Sequence, residues 1–230
     1  MKILAIMPAR SGSKGIKNKN LYNFLGKPLV SYTLNILKKL NHLVYPFVST
    51  DSNKIYNYAK KFGINNNYIR PKGISKDNSN VVEAVFDVLN WLKKKKLNFE
   101  YIILLQPTSP KRNIKDVIRM INYIKKNDIN SSATACRLPF HPTESLLIKD
   151  DKWKYLKKND KKVFRRQDFD QNYYFIDGSF YMCKVSFLKK NKSFVKENST
   201  YIFKNNTSFP IDINDKLDLK IAEVIFKSDK

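Results

Sequence analysis

The chain has 230 residues, of which 42% are hydrophobic, and it contains two cysteines. This length and apolar content suffice for one large α/β domain, and we expect a single domain over residues 1–230. No run of about 18 apolar residues occurs and the first residues lead directly into an apolar segment, so we expect neither a membrane span nor a signal peptide. Cys136 and Cys183 form no CxxC pair and no disulfide framework, which favours a reducing cytoplasm as the location.

The formal net charge of +24 would ordinarily indicate nucleic acid or an anionic membrane as a partner. The lysines, however, are scattered among Asn and Ile residues. The run from Lys93 to Lys96 lies at a predicted helix end, where cations are favourable. No known nucleic-acid-binding motif is present. We therefore expect no nucleic acid and no membrane partner, and a basic nucleic-acid-binding α/β module remains a distant alternative.

Short apolar runs alternate with amphipathic stretches along the chain, a pattern typical of βα units and a mostly parallel sheet. Pro28 is predicted to open a helix, and Ser52 and Ser79 are predicted to cap two more. Pro46 favours an edge position for its strand. Residues 137–175 break the rhythm and are interpreted as an inserted arm. In chain order the predicted elements are strand 3–6, helix 28–40, strand 44–48, helix 52–62, strand 68–69, helix 79–92, strand 101–105, helix 113–124, strand 132–136, strands 179–184 and 208–213, and helix 215–227.

A loop of small residues and cations, Met7 to Gly15, follows the first strand directly. Small residues let backbone N–H groups come close to a ligand, and Arg10, Lys14 and Lys19 add positive charge beside them. This combination suits a polyphosphate. The loop matches neither the Walker loop nor the dinucleotide fingerprint. A Gly/Ser loop with solvated lysines is the alternative interpretation.

Two further segments follow predicted strands. They are residues 70–79, and Gln106 to Pro110 behind the continuously apolar run 101–105. Ligands of open α/β sheets bind beyond the carboxyl ends of the strands. The topology alone therefore predicts that both segments meet the first loop in one crevice.

Five motifs in this order carry a resemblance to a known family. They are the first loop, Gln106-Pro107-Thr108-Ser109-Pro110, Arg165-Arg166-Gln167-Asp168, Asp177-Gly178-Ser179-Phe180-Tyr181 and Asp212-Ile213-Asn214. From about Ile3 to Glu223 the chain resembles the acylneuraminate cytidylyltransferases. The resemblance implies a Rossmann-like nucleotidyltransferase fold with a mostly parallel sheet, a dimerisation arm over 137–175, and a homodimer.

The same resemblance implies a reaction. CMP would pass from CTP to the anomeric hydroxyl of an acidic nine-carbon keto-sugar, N-acylneuraminate or a related nonulosonate, with Mg²⁺ and with release of pyrophosphate. A relative acting on legionaminate, pseudaminate or the eight-carbon acid KDO is the alternative. Because the sugar's own hydroxyl is the nucleophile, no covalent enzyme intermediate is expected.

The resemblance also implies roles for individual residues. The expected nucleotide-binding residues are Arg10, Ser13, Lys14, Asn20, Arg70 and Ser79. The expected sugar-binding residues are Gln106, Thr108, Ser109 and Arg165. The expected catalytic residues are Arg10, Lys14, Arg165, Arg166 and Gln167, and the expected metal ligands are Asp212 and Asn214.

Two positions depart from the family pattern. Asn214 stands where the family usually has Asp; its amide oxygen is able to ligate Mg²⁺ but brings no negative charge. Asp177 stands where the family favours Asn, which we interpret as a neutral exchange in a turn. Structural alternatives remain for the site residues, such as a turn position for Asn20 or an exposed position for Arg70. Which of the two neighbouring arginines 165 and 166 contacts substrate is left open.

Overall fold

The computed structural model describes residues 2–13, 15–76, 79–138, 140–150, 152–157, 173–205 and 211–228. Its strands are β1 Ile3–Pro8, β2 Asn23–Phe24, β3 Lys27–Pro28, β4 Tyr45–Ser49, β5 Tyr101–Leu104, β6 Ser131–Arg137, β7 Leu146–Lys149, β8 Lys152–Tyr155, β9 Tyr174–Lys184 and β10 Tyr201–Asn205. Its helices are α1 Val30–Lys39, α2 Asn53–Lys60, α3 Val81–Lys94, α4 Ile114–Lys126, α5 Val185–Asn191 and α6 Lys216–Ser228.

The central sheet has the strand order β10-β6-β9-β5-β1-β4. β1 runs parallel to β4 and β5, and β10 runs parallel to β6, whereas β9 runs antiparallel to both of its neighbours. The mostly parallel α/β sheet predicted from the βα rhythm is confirmed. The edge position that Pro46 predicted for its strand is also confirmed, and the Asn66 side chain accepts from the Val48 N–H and donates to the Pro46 carbonyl there.

Both faces of the sheet are covered because successive residues of a strand point to opposite sides. On β1, Ala5 and Met7 pack with buried residues of α1, α2 and α4. Leu4 and Ile6 pack with buried residues of α3 and α5 on the other face. This two-sided burial explains why strands 3–6 and 101–105 are apolar without alternation, and it leaves the strand ends as the place for a ligand.

A third apolar cluster joins the first loop to the end of the chain. Ile16, just behind the loop, packs with Phe24 of the β2–β3 hairpin and with Ile213. Phe226 of α6 lies edge-on to Phe24, with ring centroids 5.3 Å apart. This cluster holds the 211–214 segment beside the first loop.

Several predicted element boundaries are corrected. Pro28 does not open a helix: it lies in β3, paired with β2 across a turn in which Leu25 and Gly26 have positive φ angles of 49° and 84°. Helix α1 begins two residues later. Tyr68 and Ile69 form no strand. By contrast, Ser52 caps its helix as predicted, accepting from the Ile55 N–H at 3.3 Å.

The last sheet strand also differs from the prediction. Residues 201–205 form β10 beside β6, whereas the described part of the predicted strand 208–213 has no strand pairing. Between β6 and β9 the chain forms a separate antiparallel hairpin, β7–β8. Since Arg137 belongs to β6 and Tyr174 to β9, the insertion is shorter than 137–175. None of the helices in the described ranges is long and apolar enough to cross a lipid bilayer.

Candidate active site

A cleft of about 390 Å³ lies at the carboxyl ends of β1 and β5. Residues from three chain segments reach it. The first loop follows β1 and the 106–108 segment follows β5, as predicted, whereas no strand directly precedes the 70–84 segment. The first loop and the residues that follow it contribute Arg10, Ser13, Gly15, Lys19 and Asn20. The 70–84 segment contributes Arg70, Ile74, Lys76, Ser79, Asn80, Val81 and Ala84. The remaining lining residues are Pro8, Gln106, Pro107, Thr108 and Asn214.

The first loop is held in place from two sides. The backbone N–H and the hydroxyl of Ser11 both donate to the Asp51 carboxylate, at 2.7 and 2.6 Å. The buried Asn20 donates from Nδ2 to the carbonyl of Arg10 at 2.8 Å. The peptide group that joins Arg10 to Ser11 is thus held through both its carbonyl and its N–H. Asn20 is therefore a structural support of the loop as well as a residue of the cleft wall.

Lys19 is a second cation of this wall, although the resemblance gave it no role. Its Nζ donates to the Ile213 carbonyl at 2.7 Å, which ties the loop to the last segment of the chain. Burial lowers the pKa of Lys19; Asp212 and Asp218 oppose this change, and Arg10 adds to it. A half-buried ammonium group near another cation is well suited to receive an anion.

Arg70 is buried, with 5% of its surface exposed, so the alternative of an exposed side chain is wrong. Its Nε donates to the Ser49 hydroxyl at 2.9 Å, and Nη2 donates to the Ser49 carbonyl. Its backbone N–H donates to Thr50 at 2.7 Å. Dehydration lowers the pKa of Arg70, while the charges of Tyr68 and Asp51 oppose the change. The end of β4 thus holds this guanidinium rigidly in the cleft wall.

Ser79 lies in the wall but does not cap the helix. Asn80 is the cap of α3, and its side chain accepts from the Val82 N–H at 2.9 Å. This places Glu83 at the third position after the cap, where an acidic residue is favourable. Ser79 instead closes the preceding turn, because its hydroxyl accepts from the Lys76 N–H at 3.1 Å.

The 106–110 loop presents Gln106 and Thr108 to the cleft, whereas Ser109 is buried at 2% exposure. Within the described residues the Ser109 hydroxyl has no hydrogen-bond partner. The Thr108 carbonyl accepts from the Ile213 N–H at 2.8 Å, so this loop is also joined to the 211–214 segment.

Asp212 and Asn214 lie close together, although no strand forms, and Asn214 Nδ2 donates to Asp212 Oδ2 at 3.0 Å. Asp215 and Asp218 are engaged at the start of α6, where they accept from the backbone N–H groups of residues 214, 215, 217 and 218. Among the described residues no group of three His, Cys, Asp or Glu side chains is arranged to hold a metal.

Four predicted site residues lie outside the described part of the chain. They are Lys14, Arg165, Arg166 and Gln167. Their roles remain predictions.

The family model described as Cytidylyltransferase matches residues 4–224. The chain belongs to the cytidylyltransferase family. The resemblance found in its motifs is confirmed by this match.

Individual members of the family are similar to about half of the chain. The CMP-N,N'-diacetyllegionaminic acid synthase of Legionella pneumophila strain Philadelphia 1 is 37% identical over 112 residues, which are 49% of this chain and 48% of that protein. A pseudaminic acid cytidylyltransferase of Campylobacter jejuni is 35% identical over 121 residues, 52% of this chain and 51% of that protein. The chain thus spans about half the length of the curated relatives it matches.

A solved cytidylyltransferase structure resembles the whole chain. This CMP:2-keto-3-deoxy-manno-octonic acid synthetase, complexed with CTP, has a TM-score of 0.70 with complete coverage of both chains and 13% identity. At this identity the similarity establishes the fold, and the predicted Rossmann-like nucleotidyltransferase architecture is confirmed.

A polar network behind the 106–110 loop was missed by the sequence reasoning. Arg112 donates to the carbonyls of Gln106 and Ser179 and to the Thr33 hydroxyl. Asp177, interpreted as a neutral turn exchange, is buried and accepts from three side chains. The one available signal was an arginine two residues behind the Gln106–Pro110 motif.

Proposed function

We propose that this protein transfers CMP from CTP to the anomeric hydroxyl of an acidic nine-carbon keto-sugar and releases pyrophosphate. The observation that carries the proposal is the cleft in which Arg10, Lys19, the buried Arg70 and the uncharged Gln106 come together. Membership in the cytidylyltransferase family supports it.

The cationic end of the cleft suits the triphosphate. Arg10 and Lys19 lie in its wall together with the small residues Ser13 and Gly15. Preorganised donors stabilise the charge that develops when pyrophosphate departs, because they need no reorganisation during the reaction. In this proposal the supports of the loop, Asp51 and Asn20, keep those donors in place.

The base and the sugar have separate walls. Arg70 is a donor able to reach the acceptor atoms of cytosine, and Ser79 and Asn80 supply polar groups beside it. Gln106 and Thr108 offer uncharged polar atoms for the sugar, at the end of a buried strand. The relatives named for legionaminic and pseudaminic acid support an acidic nine-carbon sugar as acceptor.

The residues at the 211–214 segment fit the Mg²⁺ that such a reaction uses. Asp212 offers one carboxylate and Asn214 one amide, and Mg²⁺ usually takes one or two carboxylates together with substrate phosphates and waters. In this position the ion would neutralise charge on the triphosphate. We propose Asp212 as its main protein ligand and Asn214 as a weaker, uncharged one.

A panel of substrates tests the function. Pyrophosphate release is measured with CTP, UTP or GTP against N-acetylneuraminate, N,N'-diacetyllegionaminate, pseudaminate and KDO. We expect turnover with CTP and at least one nine-carbon acid. Equal turnover with UTP would contradict the proposed base wall around Arg70. No turnover, together with RNA binding at physiological salt, would favour the nucleic-acid-binding alternative.

We propose further that the protein is a homodimer and uses the β7–β8 hairpin for contact. Ile148 and Trp153 face each other across this hairpin and are 70% and 58% exposed. A two-stranded hairpin is marginal by itself, so its apolar side chains favour a partner surface. Because CTP is a cytoplasmic metabolite, we also propose a cytoplasmic location.

Light scattering after size-exclusion chromatography tests the dimer. The wild-type protein should have twice the chain mass of 27.0 kDa, and Trp153→Glu should shift it toward the monomer. Val224→Glu is the matched control, because Val224 of α6 is 67% exposed but lies outside the hairpin. A monomeric wild-type protein would contradict this proposal.

A further inference from the structure

We propose that Arg112 is a positioning residue that holds Gln106 of the 106–110 loop, called here the sugar loop, in register with residues 177–179 of β9, and that it thereby governs use of the acceptor sugar rather than of CTP. The inference rests on the proposed function, since it assigns Gln106 to the sugar. It concerns residues for which the motif resemblance gave no such role.

Arg112 joins three elements that are distant in sequence. Its Nη2 donates to the Gln106 carbonyl at 2.7 Å, its Nε to the Ser179 carbonyl at 2.5 Å, and its Nη1 to the Thr33 hydroxyl of α1 at 3.0 Å. Thr33 is completely buried. One planar guanidinium therefore holds both the sugar loop and β9 against the buried Thr33 of α1. A lysine, which has a single side-chain nitrogen, does not reproduce these three bonds.

Residues 177–179 of β9, to which Arg112 bonds at Ser179, lie against the Gln106 side chain. Gly178 has a φ of +73°, and a Cβ at this position would lie 3.3 Å from Gln106 Oε1 and 3.5 Å from Ser109 Oγ. The glycine thus allows the Gln106 side chain to lie directly against β9. A shift between loop and strand would move the Gln106 amide relative to the cleft.

The buried Asp177 fixes this part of β9. Its Oδ1 accepts from the Ser179 N–H at 2.9 Å and from the Thr134 hydroxyl of β6 at 2.5 Å. Its Oδ2 accepts from Asn205 Nδ2 of β10 at 2.9 Å. This part of β9 is therefore anchored to β6 and β10, and Arg112 connects it to the sugar loop.

Two carboxylates of the same region act on the charge of Arg112. Dehydration lowers the pKa of Arg112, and the carboxylates of Asp177 and Asp212 oppose that change. Its hydrogen-bond partners in the described residues are neutral oxygens. Retaining a half-buried cation costs free energy unless it is well paired, and here it satisfies two main-chain carbonyls beside the cleft.

The supports of the nucleotide end are separate from this network. Asp51 and Asn20 hold the first loop, and Ser49 holds Arg70. In the part of the chain that the structure describes, the hydrogen bonds of Arg112 go to Gln106, Ser179 and Thr33, and not to these supports. A defect at Arg112 should therefore change the KM for the sugar and leave the KM for CTP nearly unchanged.

Two variants test this split with CTP and the best sugar of the panel. Arg112→Lys keeps the charge but loses the fork of donors, and Thr33→Val removes the anchor in α1 with little change of shape. We expect the sugar kcat/KM to fall about 10-fold or more for Arg112→Lys, on the scale of lost hydrogen bonds to a charged group. The KM for CTP should stay within about twofold. Arg119→Lys is the control, because Arg119 is exposed and contacts only Asp116 among the described residues.

Each outcome decides the inference. An unchanged sugar KM in folded Arg112→Lys would overturn it, as would equal increases of both KM values, which indicate general destabilisation. If Arg112→Lys does not fold, Thr33→Val decides by the same criterion. Absence of wild-type turnover with all four sugars would overturn the proposed function as well, whereas wild-type turnover with unaffected variants overturns this inference alone.

Discussion

Gly15 lies where the first loop comes closest to the 211–214 segment. A Cβ built on it would overlap the carbonyl oxygen of Asn214 and lie 3.2 Å from the carbonyl carbon, and real Cβ atoms essentially never come within 3.0 Å of another atom. The overlapping atoms belong to the main chain, so no side-chain rotation relieves them. Gly15→Ala must therefore move the loop and the segment apart.

The size of this movement gives the expected effect. Restoring ordinary contact requires a displacement of about 1 Å, and a misplacement of that size costs about 10²-fold in rate. Overpacking costs about 1–3 kcal/mol of stability in a closed core. Because Gly15 is exposed, we expect a cost at the lower end of this range. Gly15→Ala should thus lose activity far more than stability.

The assay combines steady-state pyrophosphate release with urea denaturation. Gly73→Ala is the matched control, since a Cβ on Gly73 meets nothing within 4 Å. The control should keep wild-type kcat/KM, while Gly15→Ala should lose about 10²-fold. Wild-type kinetics in a folded Gly15→Ala protein would refute the reasoning, because it would show that the spacing between loop and segment does not matter.

Four other substitutions follow from the site and the fold. Arg10→Ala should lower kcat/KM by about 10²-fold through loss of a preorganised donor, and steady-state kinetics equal to wild type in a folded variant would contradict its role. Asp212→Asn should nearly abolish turnover, and Asn214→Asp should lower the Mg²⁺ concentration for half-maximal rate by restoring a charge; an unchanged midpoint in the Mg²⁺ titration would place the metal elsewhere. Asn113→Ala should lower the free energy of unfolding by about 1 kcal/mol, because Asn113 caps α4, and an unchanged urea midpoint and slope would contradict it.

Much of the fold was predictable because its signals are local. The apolar run 101–105 predicted a strand buried on both faces, and β5 is buried throughout. Asn113 and Ser52 were recognised as helix starts, since a cap needs only its own backbone neighbours. The place of the cleft followed from strand ends alone.

Local signals failed where two residues competed for one role. Serine and asparagine are both good helix caps, so Ser79 and Asn80 compete for this role. Asn80 is the observed cap, and Glu83 lies at the favourable third position after it. Proline is acceptable at a helix start, but the turn at Leu25 and Gly26 places Pro28 opposite Asn23 in a β-hairpin. In both cases neighbouring structure decided between options of similar local preference.

The amino-acid sequence by itself determined the α/β architecture, the family and the chain segments that border the cleft, because periodicity and motif order are properties of neighbouring residues. Only the tertiary structure decided that Arg70 is buried and that Lys19 bonds to Ile213. It likewise decided that Arg112 bonds to Gln106 and Ser179, and Asp177 to Thr134 and Asn205. Those contacts join segments up to 194 positions apart. Their partners become neighbours only when the sheet and its helices pack, and no local pattern records that packing.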